Sequence, residues 1–317
     1  MPVFRVALAD GLGKLETKNQ SQGVNPMKKL NLVLPMLCLS VLATGCATRI
    51  AGWEKKSELA ALSATEVKSF KDEAMKLWKG RADQASLQNA LTKFERLHAT
   101  NPADLETLIY LTRGYYLLAD GHLQDVELKK KNFETATSYG EKAMATNAGF
   151  KASIDSGKSI EDSLPNLTKA EVPAIYWTAA SLGKWAKANG IAASLKYKGR
   201  VKTMIERVQA LQSDYFYGAA NRYWGAFYAI APSFAGGDLN KSKQNFDQSI
   251  KIAPEYLGTK VLYAENYLTK KSLKKEFEDI LKDVLASKFD THPELGPENT
   301  IEKKKAQRLL DKKDDLF

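Results

Sequence analysis

From Trp53 onward, apolar residues recur every three or four positions, and no stretch alternates with period two for long enough to form one face of a sheet. Such a chain buries its apolar stripes helix against helix, so the spacing predicts an all-α fold. Hydrophobic residues make up 44% of the 317, enough for a sizeable core. Ser63 with Glu66 and Thr168 with Glu171 have the spacing of capping boxes, in which a hydroxyl and a carboxylate satisfy orphan amides at a helix start. Asn101-Pro102 reads as another start, and Gly80, Gly121, Gly149, Pro165, Gly190, Pro232, Gly236-Gly237 and Pro254 read as breaks.

Inside this pattern one arrangement occurs twice. Ala90, Phe94 and Pro102 have the spacing of Ser242, Phe246 and Pro254, and Tyr115 and Tyr267 each follow their proline by thirteen residues. A small residue admits a neighbouring helix, an aromatic ring fills the gap beside it, and proline marks the next helix. That is the logic of tetratricopeptide-like repeats. Ala136, Gly140 and Ala143 give a weaker echo. The expected fold is a tetratricopeptide-like helical-hairpin solenoid or bundle, with insertions near 120–132 and 148–171 that spoil a fixed period.

The amino terminus reads as an address. Met27-Lys28-Lys29 and the apolar run from Leu30 to Leu42 have the charge and length of a signal peptide, too short to span a bilayer as a mature helix. The run ends in Leu42-Ala43-Thr44-Gly45-Cys46, which resembles the bacterial lipobox: small residues enter a peptidase cleft, and the thiolate after them takes a diacylglyceryl group. Residues 1–26 then read as an upstream extension ahead of the true start, 27–45 as the signal peptide, and 46–317 as one helical domain lipidated at Cys46. Cys38 falls in the discarded segment, so no disulfide forms in the mature chain. Ala47, not aspartate, follows the lipidated cysteine, which by the sorting rule of two-membrane bacteria directs the chain to the inner leaflet of the outer membrane.

The formal charge of +10 falls to about +7 once the first 45 residues are removed. The remaining lysines lie in helical runs with acids close by, a pattern of solvated helix faces and not of a nucleic-acid partner. His98, His122 and His292 are far apart, and none has a second ligand at metal spacing. No nucleophile elbow, phosphate loop or dinucleotide fingerprint occurs, so the reading is of a non-enzyme without a cofactor. What stands out is aromatic density from Tyr215 to Tyr228. On an unbroken helix, Tyr217, Asn221, Trp224 and Tyr228 share one face, and Phe216, Ala220, Tyr223 and Phe227 share its neighbour. Two-sided packing inside a solenoid explains such a helix. The functional alternative is a ligand passage lined by Trp177, Trp185, Tyr217, Tyr223, Trp224 and Tyr228.

Several stretches, in order, resemble one family. They are Pro173 to Trp177 with Ala179-Ala180 and Gly183-Lys184-Trp185; Gly225 to Tyr228 leading to Pro232 and Gly236-Gly237-Asp238; Phe246 with Lys260 to Glu265; and the ending Arg308-Leu309-Leu310 to Phe317. The chain is similar here, over roughly 85–317, to the T-component lipoproteins of tripartite ATP-independent periplasmic (TRAP) transporters. Where that family often has an acidic, alanine-rich run, this chain has the lysine-rich segment 194–204. The resemblance implies a periplasm-facing, lipid-anchored scaffold with cryptic repeats and a pore or groove through each protomer. It implies association with a periplasmic solute-binding protein, assembly as a homotrimer and handling of a hydrophobic solute. The other reading of the same residues is an outer-membrane tetratricopeptide-type lipoprotein acting as an adaptor for cell-wall or membrane assembly.

Overall fold

Short polar side chains decide where the helices begin. In the computed structural model, which describes residues 49–55, 58–288 and 293–317, Ser63 and Glu66 close a reciprocal capping box at α1 (Ala64–Lys79). Asp83, Asp104 and Asp125 each accept a backbone N–H at the starts of α2 (Gln84–Thr100), α3 (Leu105–Leu117) and α4 (Val126–Ala145). Asn147 and Ser159 cap the short α5 (Ala148–Asp155) and α6 (Ile160–Ser163). There follow α7 (Val172–Ala188), α8 (Ile191–Leu211), α9 (Tyr215–Ile230), α10 (Leu239–Ile252), α11 (Leu257–Tyr263), α12 (Lys274–Ala286), α13 (Gly296–Asp311) and α14 (Lys313–Leu316). No strand occurs among the described residues, and the fold is all-α as the periodicity required. The segments 1–26 and 27–45, with Cys38, Cys46 and His292, lie outside the described residues.

Neighbouring helices pair in sequence order, α1 on α2, α2 on α3, α3 on α4, α7 on α8 and α9 on α10, with α4 also lying along α7. The two copies read from the sequence are the hairpins α2–α3 and α10–α11. Phe94 is 1% exposed and stacks on Tyr110 at 4.8 Å, while Phe246 is fully buried edge-on to Tyr263 at 5.4 Å. Backbones approach closely where glycine permits it. A Cβ on Gly225 would lie 2.8 Å from the Phe246 ring, so α9 can press on α10 only without a side chain there.

Four local expectations are corrected. Asn101 ends α2, and Pro102 lies in the turn; Asp104 is the cap of α3, because its carboxylate reaches both the amide and the hydroxyl of Thr107. Pro254 does fall in the break between α10 and α11, but Tyr256 precedes the first residue of α11, so the proline does not open that helix. Gly149 is no break but the second residue of α5, since Asn147 has already started that helix. The insertion assigned to 120–132 is mostly helical, because a π-helical turn continues α3 through His122 and Asp125 then caps α4, which runs through 126–132. Thr168 and Glu171 do form a capping box, which opens a single 3-10 turn leading into α7.

The last long helix returns to the first hairpins. Glu298 of α13 pairs with Arg81 at 2.6 Å and with Arg113 of α3 at 2.5 Å, and Ile301 packs on Gly121. Glu298 is 4% exposed. Burial works to raise its pKa, yet Arg113 and Arg81 together hold the carboxyl below the ordinary range. The helices thus close around an interior space.

Candidate functional site

That space is a cavity of about 820 Å³ lined by α3, α7, α8, α9, α11 and α13. Its apolar wall includes Trp177, Leu195, Val201, Tyr223, Phe227 and Val261. The opposite wall is charged. Asp120 meets Lys184 at 2.6 Å and also pairs with Lys305, which in turn meets Glu302 at 2.9 Å. Burial opposes the charge on Asp120, but Lys184 and Lys305 hold it well below the usual carboxylate range; burial likewise opposes Lys305, and Asp120 with Glu302 push it well above the usual lysine value. Local geometry delivers these acids. The helices α3 and α11 each run on into a π-helical turn, Leu118–His122 and Ala264–Leu268, which bring Asp120, Glu265 and Asn266 to the cavity wall.

A second hollow of about 970 Å³ also reaches Phe216 and is walled by Trp78, Tyr110, Tyr217, Ile252 and Glu294 among others. Arg113 and Phe216 line both spaces, with the guanidinium 4.8 Å from the ring centroid. Phe216 owes its position to an unusual backbone. Phe216, Tyr217 and Gly218 have φ of +42°, +60° and +71°, three successive left-handed residues at the head of α9. For the two non-glycine residues this conformation costs roughly 1–2 kcal/mol each. Arg222 holds it. Its Nη2 donates to the Phe216 carbonyl at 3.2 Å and its Nη1 to the Tyr217 carbonyl at 3.0 Å, while Ser249 Oγ donates to the Gly218 carbonyl at 3.1 Å. Arg222 is 3% exposed, lies 4.5 Å from the Tyr256 ring centroid and makes no ion pair among the described residues.

The structure separates the aromatic residues singled out in the sequence. Trp177 and Tyr223 line the first cavity, with Phe216 and Phe227 beside them. Tyr217 instead lines the second hollow and stacks on Tyr256 at 5.3 Å. It does not share a face with Trp224 and Tyr228, because the left-handed turn interrupts the helix between them. Trp224 is 7% exposed and donates to Gln209 Oε1 at 3.2 Å, outside the cavity lining. Tyr228 packs on Trp224 and Phe227, also outside it, and its carbonyl accepts the Asp238 amide. Trp185 is buried against Tyr197, with Arg49 over its ring at 5.8 Å. Of the two faces read from α9, the one carrying Tyr223 and Phe227 meets the cavity.

Sequence reasoning missed Tyr116, Tyr176, Tyr256 and the charged wall. The partners Asp120, Lys184 and Lys305 are far apart in the chain, so no local spacing joins them. Gly218 was the available signal for the turn that displaces Phe216 and Tyr217.

Helical hairpins closed around an aromatic and charged cavity, with no cluster of metal-ligating side chains among the described residues, define a helical scaffold with a binding space. A model of the TRAP transporter T-component family matches residues 83–317, and the chain belongs to that family. Membership makes it a component of a TRAP transport system. No curated protein matches the chain.

Proposed function

We propose that this T-component is a lipid-anchored, periplasm-facing scaffold, seated on the inner leaflet of the outer membrane, that docks the solute-binding protein of its TRAP system and passes a hydrophobic solute through its interior. The observation that carries the reading is that Phe216 and Arg113 border both hollows, so that the two spaces adjoin at these side chains. The wall chemistry supports an apolar solute with a polar end: aromatic rings on one side, a fixed charge cluster on the other. A lipid on Cys46 agrees with the tight seating of the chain just after it. Arg49 pairs with Glu134 and, at 2.8 Å, with Glu141, and the Gly52 amide donates to Glu141 at 2.7 Å. A homotrimer belongs to the same proposal.

The test has two arms. Metabolic labelling with a palmitate analogue should mark the wild type and not Cys46→Ala; equal label on both would remove the anchor from the reading. Crosslinking in cells should then capture the solute-binding protein encoded with the same TRAP permease. Failure to capture it at native expression, with the permease functional, would overturn the docking role.

A further inference from the structure

The mouth of the cavity carries an unusual concentration of exposed apolar side chains. Phe234 is 88% exposed, Ile191 80%, Leu195 59% and Ile230 49%, and all four also line the cavity. They come from the start of α8, the end of α9 and the 3-10 turn Ser233–Ala235 that follows. Leaving four such side chains in water is unfavourable, and their grouping at one opening marks a contact surface.

The charge around them selects the partner. Between Glu171 and Glu206 the chain has no acid but carries Lys184, Lys187, Lys196, Lys198, Arg200 and Lys202. Lys184, Arg200 and Lys202 face Asp120, Glu161 and Glu206. Among the described residues Lys187 and Lys198 pair with no carboxylate; both line the cavity, and Lys198 Nζ donates to the Ala235 carbonyl at 2.8 Å, tying α8 to the turn that presents Phe234. The segment 229–237 at the tip has no charged residue. Apolar side chains framed by the cations Lys187 and Lys198 are the chemistry of a surface that enters an anionic lipid interface.

The seating of the amino-terminal end agrees. The Arg49 amide donates to the Tyr197 hydroxyl of α8 at 3.4 Å, and the Arg49 guanidinium sits over Trp185 of α7. Cys46 is three residues earlier, and three residues reach at most about 11 Å. An acyl chain there would hold the ends of α7 and α8 that frame the mouth near the bilayer. We infer that the mouth formed by Ile191, Leu195, Ile230 and Phe234 docks on anionic phospholipid, so that the cavity opens toward the membrane. The orienting part of this argument rests on the lipid anchor proposed above.

The experiment uses the lipidated chain in vesicles of phosphatidylethanolamine and phosphatidylglycerol, with an environment-sensitive fluorophore on Phe234→Cys. A control carries it on Gln88→Cys of α2, which packs on α1 and α3. The expected result is a blue-shifted probe at 234, quenched by lipid-borne quenchers, and a water-like probe at 88. A water-like probe at 234 on protein that stays on the vesicles would overturn the inference and leave the anchor intact. So would a probe at 234 that becomes shielded only when the solute-binding protein is added, since the mouth would then be a protein dock. Unacylated Cys46→Ser separates the two readings. Its association with the anionic vesicles should be salt-sensitive, weak on phosphatidylcholine and reduced roughly tenfold by Phe234→Asp. No association with either vesicle would overturn the inference independently of the anchor.

Discussion

Asp120 is the point at which charge balance in the interior is most exposed to a single change. It joins Lys184 of α7 to Lys305 of α13, and Lys305 keeps only Glu302 when Asp120 loses its charge. Asp120→Asn preserves shape and much of the hydrogen bonding, so its effect isolates charge. Lys184 is then left with the weaker pull of Glu265 and Lys305 with Glu302, and because these side chains are only partly buried the net loss should be about 1–3 kcal/mol. At an effective dielectric near 20, each contact contributes about 4 kcal/mol of gross attraction, so a net loss in this range is consistent once desolvation is set against it. Urea unfolding of wild type and variant would measure it. The pH dependence supplies a second readout. Lys184 and Lys305 depress the folded carboxyl below its unfolded value, so its stabilisation is complete above the unfolded value near pH 4 and is lost as pH falls further. The variant should therefore lose stability at neutral pH and show a shallower acid slope. Adding Lys184→Met, which removes a cation that has lost its ion-pair partner, should restore part of the loss. A change below about 1 kcal/mol with an unchanged acid slope would refute the claim that this cluster braces the cavity.

Truncating Phe94 or Phe246 to alanine should each remove about 3–5 kcal/mol, measured by thermal unfolding, because both rings are enclosed between paired helices; a loss of a few tenths would mean they are not equivalent core positions. Trp177→Ala and Phe216→Ala should alter uptake of an apolar fluorescent probe, whereas Trp224→Ala should lower stability by a few kcal/mol and leave affinity unchanged in the folded fraction, since Trp224 lies outside the lining. Equal effects of all three on probe affinity would sink the assignment of the wall. His98 is held neutral, its pKa lowered to about 4 by burial and by Lys142, whose Nζ lies 3.3 Å from Nε2. The unfolded chain takes up this proton near pH 6.5 and the folded one only near 4, so stability should fall by roughly 1–2 kcal/mol between those values, after allowance for screening, and His98→Gln should flatten that slope.

The helices, their order and the two repeated hairpins were legible in the sequence because each depends on local spacing. Ser63 with Glu66, the small residue and ring of each hairpin, and Asp238 capping α10 all act within a few positions of one another. The site was less legible, and the reason lies in three residues. A helix read from Tyr215 to Tyr228 with uniform rotation puts Tyr217 beside Trp224. The backbone from 216 to 218 instead turns left-handed, sending Phe216 to the border of both hollows and Tyr217 to the second hollow. Gly218 alone accepts that conformation readily, and two aromatic residues before it argue for continued helix. What overrides local preference is Arg222, whose guanidinium donates to the carbonyls of both residues from one turn further along α9, assisted by Thr259 of α11 at 3.3 Å. The position of Phe216 between the linings of the two hollows is therefore set by Arg222 hydrogen bonds within α9 and to α11 that no periodicity encodes.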